Sequence, residues 1–148
     1  MGKTERATLE AQDWGNETFA SLRQARLSRI LIIEDNEHYA RAVRTRLETD
    51  YEVLVCRDGL TGIRLIEEEQ PDLVILDIGL PGMSGFKLLH ELHVSSRVVA
   101  PPIIVLTGSS DETTAPRAHA WGVRTVLRKP VPLKRVVDAV EDALEYEA

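Results

Sequence analysis

The hydrophobic positions of the chain fall into five short, unbroken runs. The runs are rich in β-branched residues and continuous rather than alternating, which is typical of strands that are covered on both faces. They occupy residues 30–33, 53–56, 73–76, 103–106 and 125–127. Each run is therefore predicted to form a buried β-strand.

Segments with helical spacing follow these runs. After the first run, Tyr39, Val43 and Leu47 lie four residues apart, and apolar residues recur at similar helical offsets in later segments. The later residues are Leu60, Ile63, Leu65 and Ile66, then Phe86, Leu88, Leu89 and Leu92, and finally Leu133, Val136, Val137, Val140 and Leu144. Each set predicts a helix with one apolar face.

The segment between the fourth and fifth runs contains Pro116, which cannot lie in a helix interior without the loss of a hydrogen bond. We therefore predict a short helix that begins near Thr114 or Ala115, carries Pro116 in its first turn and ends at Gly122. Strand and helix thus alternate five times along the chain. This order predicts an α/β fold, a doubly wound five-stranded parallel sheet with right-handed crossovers and helices on both faces.

The composition narrows the range of functions. The length of 148 residues suits one domain, and 43% hydrophobic with 28% charged residues is ordinary for a globular protein with a core. A formal net charge of −6 argues against direct binding to nucleic acid or to an anionic membrane surface. The apolar runs are too short to span a bilayer. Cys56 is the only cysteine, so no internal disulfide forms and we expect a cytoplasmic protein.

Polar residues stand where the predicted strands end. In a doubly wound sheet, ligands bind outside the carboxyl ends of the strands. Glu34 and Asp35 follow the first strand, Asp77 the third, Thr107 the fourth and Lys129 the fifth. Any one of them alone would be read as a solvated loop residue or a helix cap. Together on one rim, they predict a functional site.

This set of side chains suits metal and phosphoryl chemistry. Clustered carboxylates repel one another and need a cation, and oxygen ligands without histidine or cysteine favour Mg²⁺. A carboxylate can also attack a phosphoryl group to give an acyl phosphate. The developing charge then needs Mg²⁺, an ammonium group and a hydroxyl donor, of which Lys129 and Thr107 supply the last two. Gly79, Gly82 and Gly108 would leave room for a phosphodonor.

Four segments carry a resemblance to a known family. "ILIIEDNE", "DLVILDIGLPGMSG", "IIVLTG" and "VLRKP" resemble the receiver domain of bacterial two-component response regulators. The resemblance implies a (βα)5 flavodoxin-like fold with strand order 2-1-3-4-5. It runs from about Arg29 onward, so we expect a receiver domain over residues 29–148. Residues 1–28 are then a polar extension, either partly disordered or forming one helix capped by Asn16 that carries Phe19 and Leu22 on one face.

The resemblance also implies roles for the rim residues. Asp77 would accept a phosphoryl group from a sensor histidine kinase or a histidine phosphotransfer protein. Glu34 and Asp35 would hold Mg²⁺ together with Asp77 and the backbone carbonyl of Gly79. Thr107 would bind the phosphoryl group and report its presence.

Further positions complete what the resemblance implies. Lys129 would pair with the phosphoryl group, and the peptide bond between Lys129 and Pro130 would be cis. The family usually has Tyr or Phe three residues before this lysine, whereas this chain has Val126. We therefore expect signalling through the loop after Thr107 and the short helix, with the first helix as the alternative. Gly79 and Ser109 lie at positions that the resemblance ties to the rate of phosphoryl loss.

Two other functions fit the same fold. A phosphate- or nucleotide-binding enzyme would need a glycine-rich loop after the first strand, but the sequence there, "IEDNEH", is acidic and repels phosphate unless a metal is bound. A non-phosphorylated protein-interaction scaffold would lack one or more rim residues, and none is missing. We therefore expect a phosphoacceptor that signals by altered binding to an unknown output protein and is not itself an enzyme.

Overall fold

Five strands and five helices alternate along the described part of the chain. The structure is a computed structural model that describes residues 27–95, 99–108 and 110–147. The elements are β1 (Arg29–Ile33), α1 (Glu37–Leu47), β2 (Glu52–Cys56), α2 (Gly59–Glu69), β3 (Leu73–Asp77), α3 (Gly85–Val94), β4 (Ile103–Thr107), α4 (Thr114–Ala120), β5 (Thr125–Arg128) and α5 (Leu133–Glu147). All five predicted strands are confirmed, and each is one residue longer than the apolar run that predicted it.

The strands form one parallel sheet in the order β2-β1-β3-β4-β5. The predicted fold class and strand order are therefore confirmed. The register pairs Ile33 with Leu76, Asp77 with Leu106 and Thr107 with Arg128. This register brings the carboxyl ends of β1, β3, β4 and β5 to one rim, and the chain reverses its order across the sheet between β1 and β3.

The unbroken apolar runs are explained by two core layers. Side chains along a strand alternate between the faces of a sheet, so a strand covered on both faces is apolar at every position. Ile30 and Ile32 of β1 face the layer under α1 and α5, and Leu31 and Ile33 face the layer under α2, α3 and α4. All four side chains are at most 1% exposed. β1, which lies between β2 and β3, is therefore firmly packed on both faces and gives the rim a rigid base.

Side chains at the helix starts fix the loops that follow the strands. Asn36, Asp58 and Ser84 cap α1, α2 and α3, and each accepts a hydrogen bond from a backbone N–H of the first turn. These caps satisfy donors that have no partner within the helix. The loop after β3 is further held by a close approach at Gly85, where a Cβ atom would lie 2.7 Å from the Ile78 Cα atom. The backbone after Asp77 is thereby fixed.

The short helix α4 has the predicted form. It begins at Thr114 and carries Pro116 as its third residue, where the missing N–H would have no partner within the helix. It ends at Ala120, two residues before the predicted end. Gly122 then has φ +87°, a conformation that favours glycine, and it turns the chain toward β5.

One expectation about the helix faces is wrong. Leu60 was placed with the apolar face of α2, but its side chain is 70% exposed. The face that packs on the sheet instead carries Gly59, Gly62 and Ile66, which are spaced by three and four residues. Leu60 lies about 100° around the helix from Gly59 and so points outward.

Cys56, the last residue of β2, is buried, and burial raises the pKa of its thiol to about 11.

Two sequence predictions fall outside the described residues. These are the extension over residues 1–28 with its helix capped by Asn16, of which only residues 27 and 28 are described, and the position of Ser109. Among the helices that are described, none combines the length and the apolar character needed to cross a membrane.

Candidate functional site

The ends of β1 and β3 bring acidic side chains together. Glu34 directly follows β1 and is 1% exposed, and Asp77 is the last residue of β3 and is 7% exposed. Asp35 is half-buried beside them. One carboxylate oxygen from each of these three residues lies within 4.8 Å of the others. The three acids that the sequence placed on one rim therefore form a cluster.

Lys129 reaches this cluster from the end of β5. Its Nζ donates a hydrogen bond to Glu34 Oε1 and lies 3.5 Å from Asp77 Oδ2. Its backbone N–H donates to the carbonyl oxygen of Thr107 over 2.7 Å. The peptide bond between Lys129 and Pro130 is cis, as expected. One ammonium group thus faces two buried carboxylates.

Each buried carboxylate has a different partner for each of its oxygens. Glu34 Oε1 accepts from Lys129, and its Oε2 accepts from the backbone N–H of Asn36 over 3.1 Å. Asp77 Oδ2 faces Lys129, and its Oδ1 accepts from the backbone N–H of Gly79 over 3.0 Å. Both carboxylates are thus held in fixed orientations by the loops that follow their strands. The structure does not test the predicted role of the Gly79 carbonyl as a metal ligand.

The charges in the cluster are only partly balanced. Burial, followed by the neighbouring Asp77 carboxylate, raises the pKa of Glu34 to about 7, although Lys129 and the Asn36 N–H act in the opposite direction. Burial alone would lower the pKa of Lys129, but the hydrogen bond with Glu34 and the charges of Asp77 and Glu34 outweigh it, so this pKa is raised. Three carboxylates share one ammonium, which leaves a net negative site.

Thr107 lies at the same rim, where its carbonyl oxygen accepts from the Lys129 backbone, and it also lines a cavity. It is the last residue of β4 and is 4% exposed. The cavity has a volume of about 300 Å³ and is lined by Thr107, Asp111, Glu112, Thr114, Ala115, Val126 and Arg128. It lies between α4 and β5, and the short side chain of Val126 forms part of its wall. The position that lacks the usual aromatic ring therefore borders open space next to Thr107.

Tyr39 is a member of the site that the sequence prediction missed. Lys129 Nζ lies over the Tyr39 ring, 4.8 Å from its centroid. The sequence was interpreted only as placing Tyr39 on the apolar face of α1. Its position in the first helical turn after Glu34 and Asp35 was the one available signal, because that turn starts at the rim. The proximity of its ring to Lys129 depends on a contact between residues 90 positions apart.

The chain matches the family model described as response regulator receiver domain over residues 30–141. It is 36% identical over 102 residues to the sensor histidine kinase TmoS of Ectopseudomonas mendocina, covering 69% of this chain and 10% of that protein. It is 30% identical over 119 residues to protein PilH of Pseudomonas aeruginosa, covering 80% of this chain and 98% of that protein. The chain thus spans about a tenth of one relative and nearly all of the other.

The fold also matches solved structures. A response regulator receiver domain protein from Clostridium thermocellum superimposes with a TM-score of 0.73 at 31% sequence identity. The match covers 82% of this chain and 97% of that one. A CheY-like receiver domain protein from Methanospirillum hungatei gives a TM-score of 0.74 at 27% identity, over 81% of this chain and 95% of that one.

Proposed function

The chain belongs to the response regulator receiver domain family, and on this premise we propose that Asp77 accepts a phosphoryl group from the phosphohistidine of a sensor kinase or a histidine phosphotransfer protein. The observation that carries the proposal is the Asp77 carboxylate itself. It stands at the end of a fully buried strand, fixed by the Gly79 N–H and facing the Lys129 ammonium. A carboxylate held in this way is oriented for attack before a donor arrives.

The reaction would exchange one bond to phosphorus for another. An oxygen of Asp77 attacks the phosphorus atom and forms the new O–P bond, while the P–N bond to the donor imidazole breaks. The electron pair of the broken bond stays on the imidazole nitrogen, which is neutral or takes a proton from solvent. Water later attacks the phosphorus of the acyl phosphate and releases inorganic phosphate, which restores the carboxylate.

The acidic cluster fits a divalent cation. Glu34, Asp35 and Asp77 offer oxygen atoms within 4.8 Å of one another, and the group contains no histidine or cysteine. With the Gly79 carbonyl, these residues would hold Mg²⁺. A bound Mg²⁺ would supply positive charge against the phosphoryl oxygens. Lys129 would then turn from Glu34 toward those oxygens, because the cation takes over the neutralisation of the acids.

Output would pass through the region beside Thr107. Thr107 lines the cavity next to Val126, and its carbonyl oxygen accepts a hydrogen bond from the backbone N–H of Lys129, whose side chain enters the acidic cluster. A phosphoryl group at Asp77 would draw the Thr107 hydroxyl inward and shift the loop that leads to α4. We assign the chain a role as a signal transducer in the cytoplasm that changes its binding to an output protein, with residues 29–148 as the receiver unit.

Labelling with a small acyl-phosphate donor tests the assignment. The wild-type protein should gain one phosphoryl group, detected by intact mass, only when Mg²⁺ is present. Asp77→Asn should remain folded but unlabelled, since the amide is nearly isosteric but a poor nucleophile. Asp138→Asn is a matched control, because it changes a partly exposed aspartate of α5 that pairs with Lys134 and does not belong to the acidic cluster, and it should label normally.

Two outcomes would contradict the proposal. Label remaining on Asp77→Asn at the wild-type level would move the phosphoacceptor elsewhere. A folded wild-type protein that takes no label from acyl-phosphate or phosphoramidate donors would favour the scaffold function instead.

A further inference from the structure

The Tyr39 ring is held in a defined place by the start of α1. Its backbone N–H donates to Asn36 Oδ1 over 3.0 Å, which closes the helix cap directly after the acidic pair. The ring is half-buried and packs against the core layer under α1 and α5. Cap and core together leave the side chain little freedom. The Tyr39 ring therefore has a fixed position beside the side chain of Lys129.

The Lys129 ammonium lies over the face of this ring. Its ammonium nitrogen is 4.8 Å from the ring centroid, within the 6 Å or so over which a cation is attracted to an aromatic face. The Lys129 side chain is 23% exposed, so the pair is largely shielded from water. Cation–π attraction is stronger in such a setting than at an exposed surface. The ammonium thus has three partners: Glu34, Asp77 and the ring.

The hydroxyl of Tyr39 contributes differently from the ring. Its oxygen is buried and has no hydrogen-bond partner within the described part of the chain. A buried hydroxyl without a partner costs free energy rather than supplying it. The useful part of the side chain at this position is therefore the aromatic face. This distinction separates the effects of Tyr39→Phe and Tyr39→Leu.

We propose that Tyr39 is a positioning residue that holds the Lys129 ammonium at the phosphoacceptor carboxylate through its aromatic face. Lysine is a point charge on a flexible four-carbon stem and loses rotamer entropy when it is fixed. The ring removes orientations in which the stem points to solvent, so the ammonium is already inside the site when a phosphoryl group arrives. The effect on phosphorylation rests on the function proposed above, whereas the placement of Lys129 does not.

The placement of Lys129 is tested by NMR without any phosphorylation. The chain has four lysines, Lys3, Lys87, Lys129 and Lys134. With lysine labelled at Cε, one resonance should show Hε protons shifted upfield by the ring current, and Lys129→Arg should remove it. Tyr39→Phe should keep the shift and Tyr39→Leu should abolish it. Tyr51→Leu, a half-buried tyrosine on the same core layer, should leave it unchanged. Absence of an upfield Lys129 resonance in the wild type would overturn the proposal.

The effect on rate is tested with a double-mutant cycle. Tyr39→Leu should slow labelling by an acyl-phosphate donor about 5-fold, the equivalent of about 1 kcal/mol, whereas Tyr39→Phe should react at the wild-type rate. In a Lys129→Ala background the Tyr39→Leu change should cost no further rate, because the interaction is already lost. Thermal melts check that each variant is folded.

The outcomes separate this inference from the proposed function. Equal losses in Tyr39→Phe and Tyr39→Leu would assign the effect to the hydroxyl and overturn the role of the ring. An undiminished Tyr39→Leu loss in the Lys129→Ala background would make the residue purely structural. If wild-type protein takes no label, the proposed function fails, and the Lys129 resonance alone then decides whether Tyr39 holds the ammonium.

Discussion

Glu34 should make the metal-free protein less stable as the pH rises. Its carboxyl group has an ordinary pKa of 4.5, and burial together with the neighbouring Asp77 raises the folded-state pKa to about 7. Between these two values the folded state binds a proton that the unfolded state has already released. The free energy of unfolding therefore falls with increasing pH in this window and is highest below it.

The size of the effect follows from the shift. A rise of the pKa from 4.5 to about 7 corresponds to roughly 3 kcal/mol, at about 1.4 kcal/mol for each pKa unit. The Lys129 ammonium shares this equilibrium, so the figure is an upper value. Even half of it would be prominent in a domain whose total stability is about 5–15 kcal/mol.

Urea denaturation between pH 5 and pH 8 measures this contribution. In EDTA, the wild-type free energy of unfolding should fall with pH relative to that of Glu34→Gln, which has the same shape and no charge at any pH. Millimolar Mg²⁺ should reduce the loss, because the cation binds the deprotonated cluster, and Asp35→Asn should weaken this rescue. Glu37→Gln is the matched control, since Glu37 is an exposed carboxylate at the start of α1, three residues after Glu34, and should follow the wild-type profile.

Parallel wild-type and Glu34→Gln profiles in EDTA would refute this reasoning. They would mean that Glu34 loses its proton at the same pH in the folded and unfolded chains. A wild-type stability that rises with pH relative to Glu34→Gln would be equally decisive, because the Lys129 salt bridge would then outweigh burial.

The substitution Gly85→Ala should lower the free energy of unfolding, measured by urea denaturation, by about 1–3 kcal/mol. The added Cβ would lie 2.7 Å from the Ile78 backbone, which cannot move aside as a side chain can. Gly108→Ala is the control, since a Cβ there meets nothing within 4 Å, and equal effects of the two changes would count against a close approach at Gly85. Loading Asp77 with an acyl-phosphate mimic should change amide exchange across residues 108–122 and leave residues 36–50 nearly unchanged, because α4 is short and borders the cavity beside Val126. The reverse pattern would assign output to α1.

The rim was predictable from sequence because two local signals combine. A continuous apolar run identifies a strand covered on both faces, and parallel strands place their carboxyl ends on the same side. Asp77 and Thr107 could therefore be placed near each other although they are 30 positions apart. The short helix was likewise predictable, because the ring of Pro116 acts on its own turn.

The parts that were missed depend on angles and distances between elements. Leu60 fits an apolar spacing, but the face that packs was decided by two glycines. The small size of Gly62 lets the helix approach Ile33, and that of Gly59 leaves room for Met83. The contact of Tyr39 with Lys129 requires α1 and β5 to meet at the rim in one particular geometry. No local pattern encodes a distance of this kind.

Backbone hydrogen bonds and the packed core explain how the acidic cluster is held together. Two carboxylates that are at most 7% exposed would be costly if they were unpaired, and one ammonium cannot neutralise both together with Asp35. The backbone N–H groups of Asn36 and Gly79 each stabilise one carboxylate, and they are held there by the turns that follow β1 and β3. The free-energy cost of the remaining repulsion between the carboxylates is offset by the packing of the two core layers. The cluster therefore keeps a net negative charge, which suits a cation.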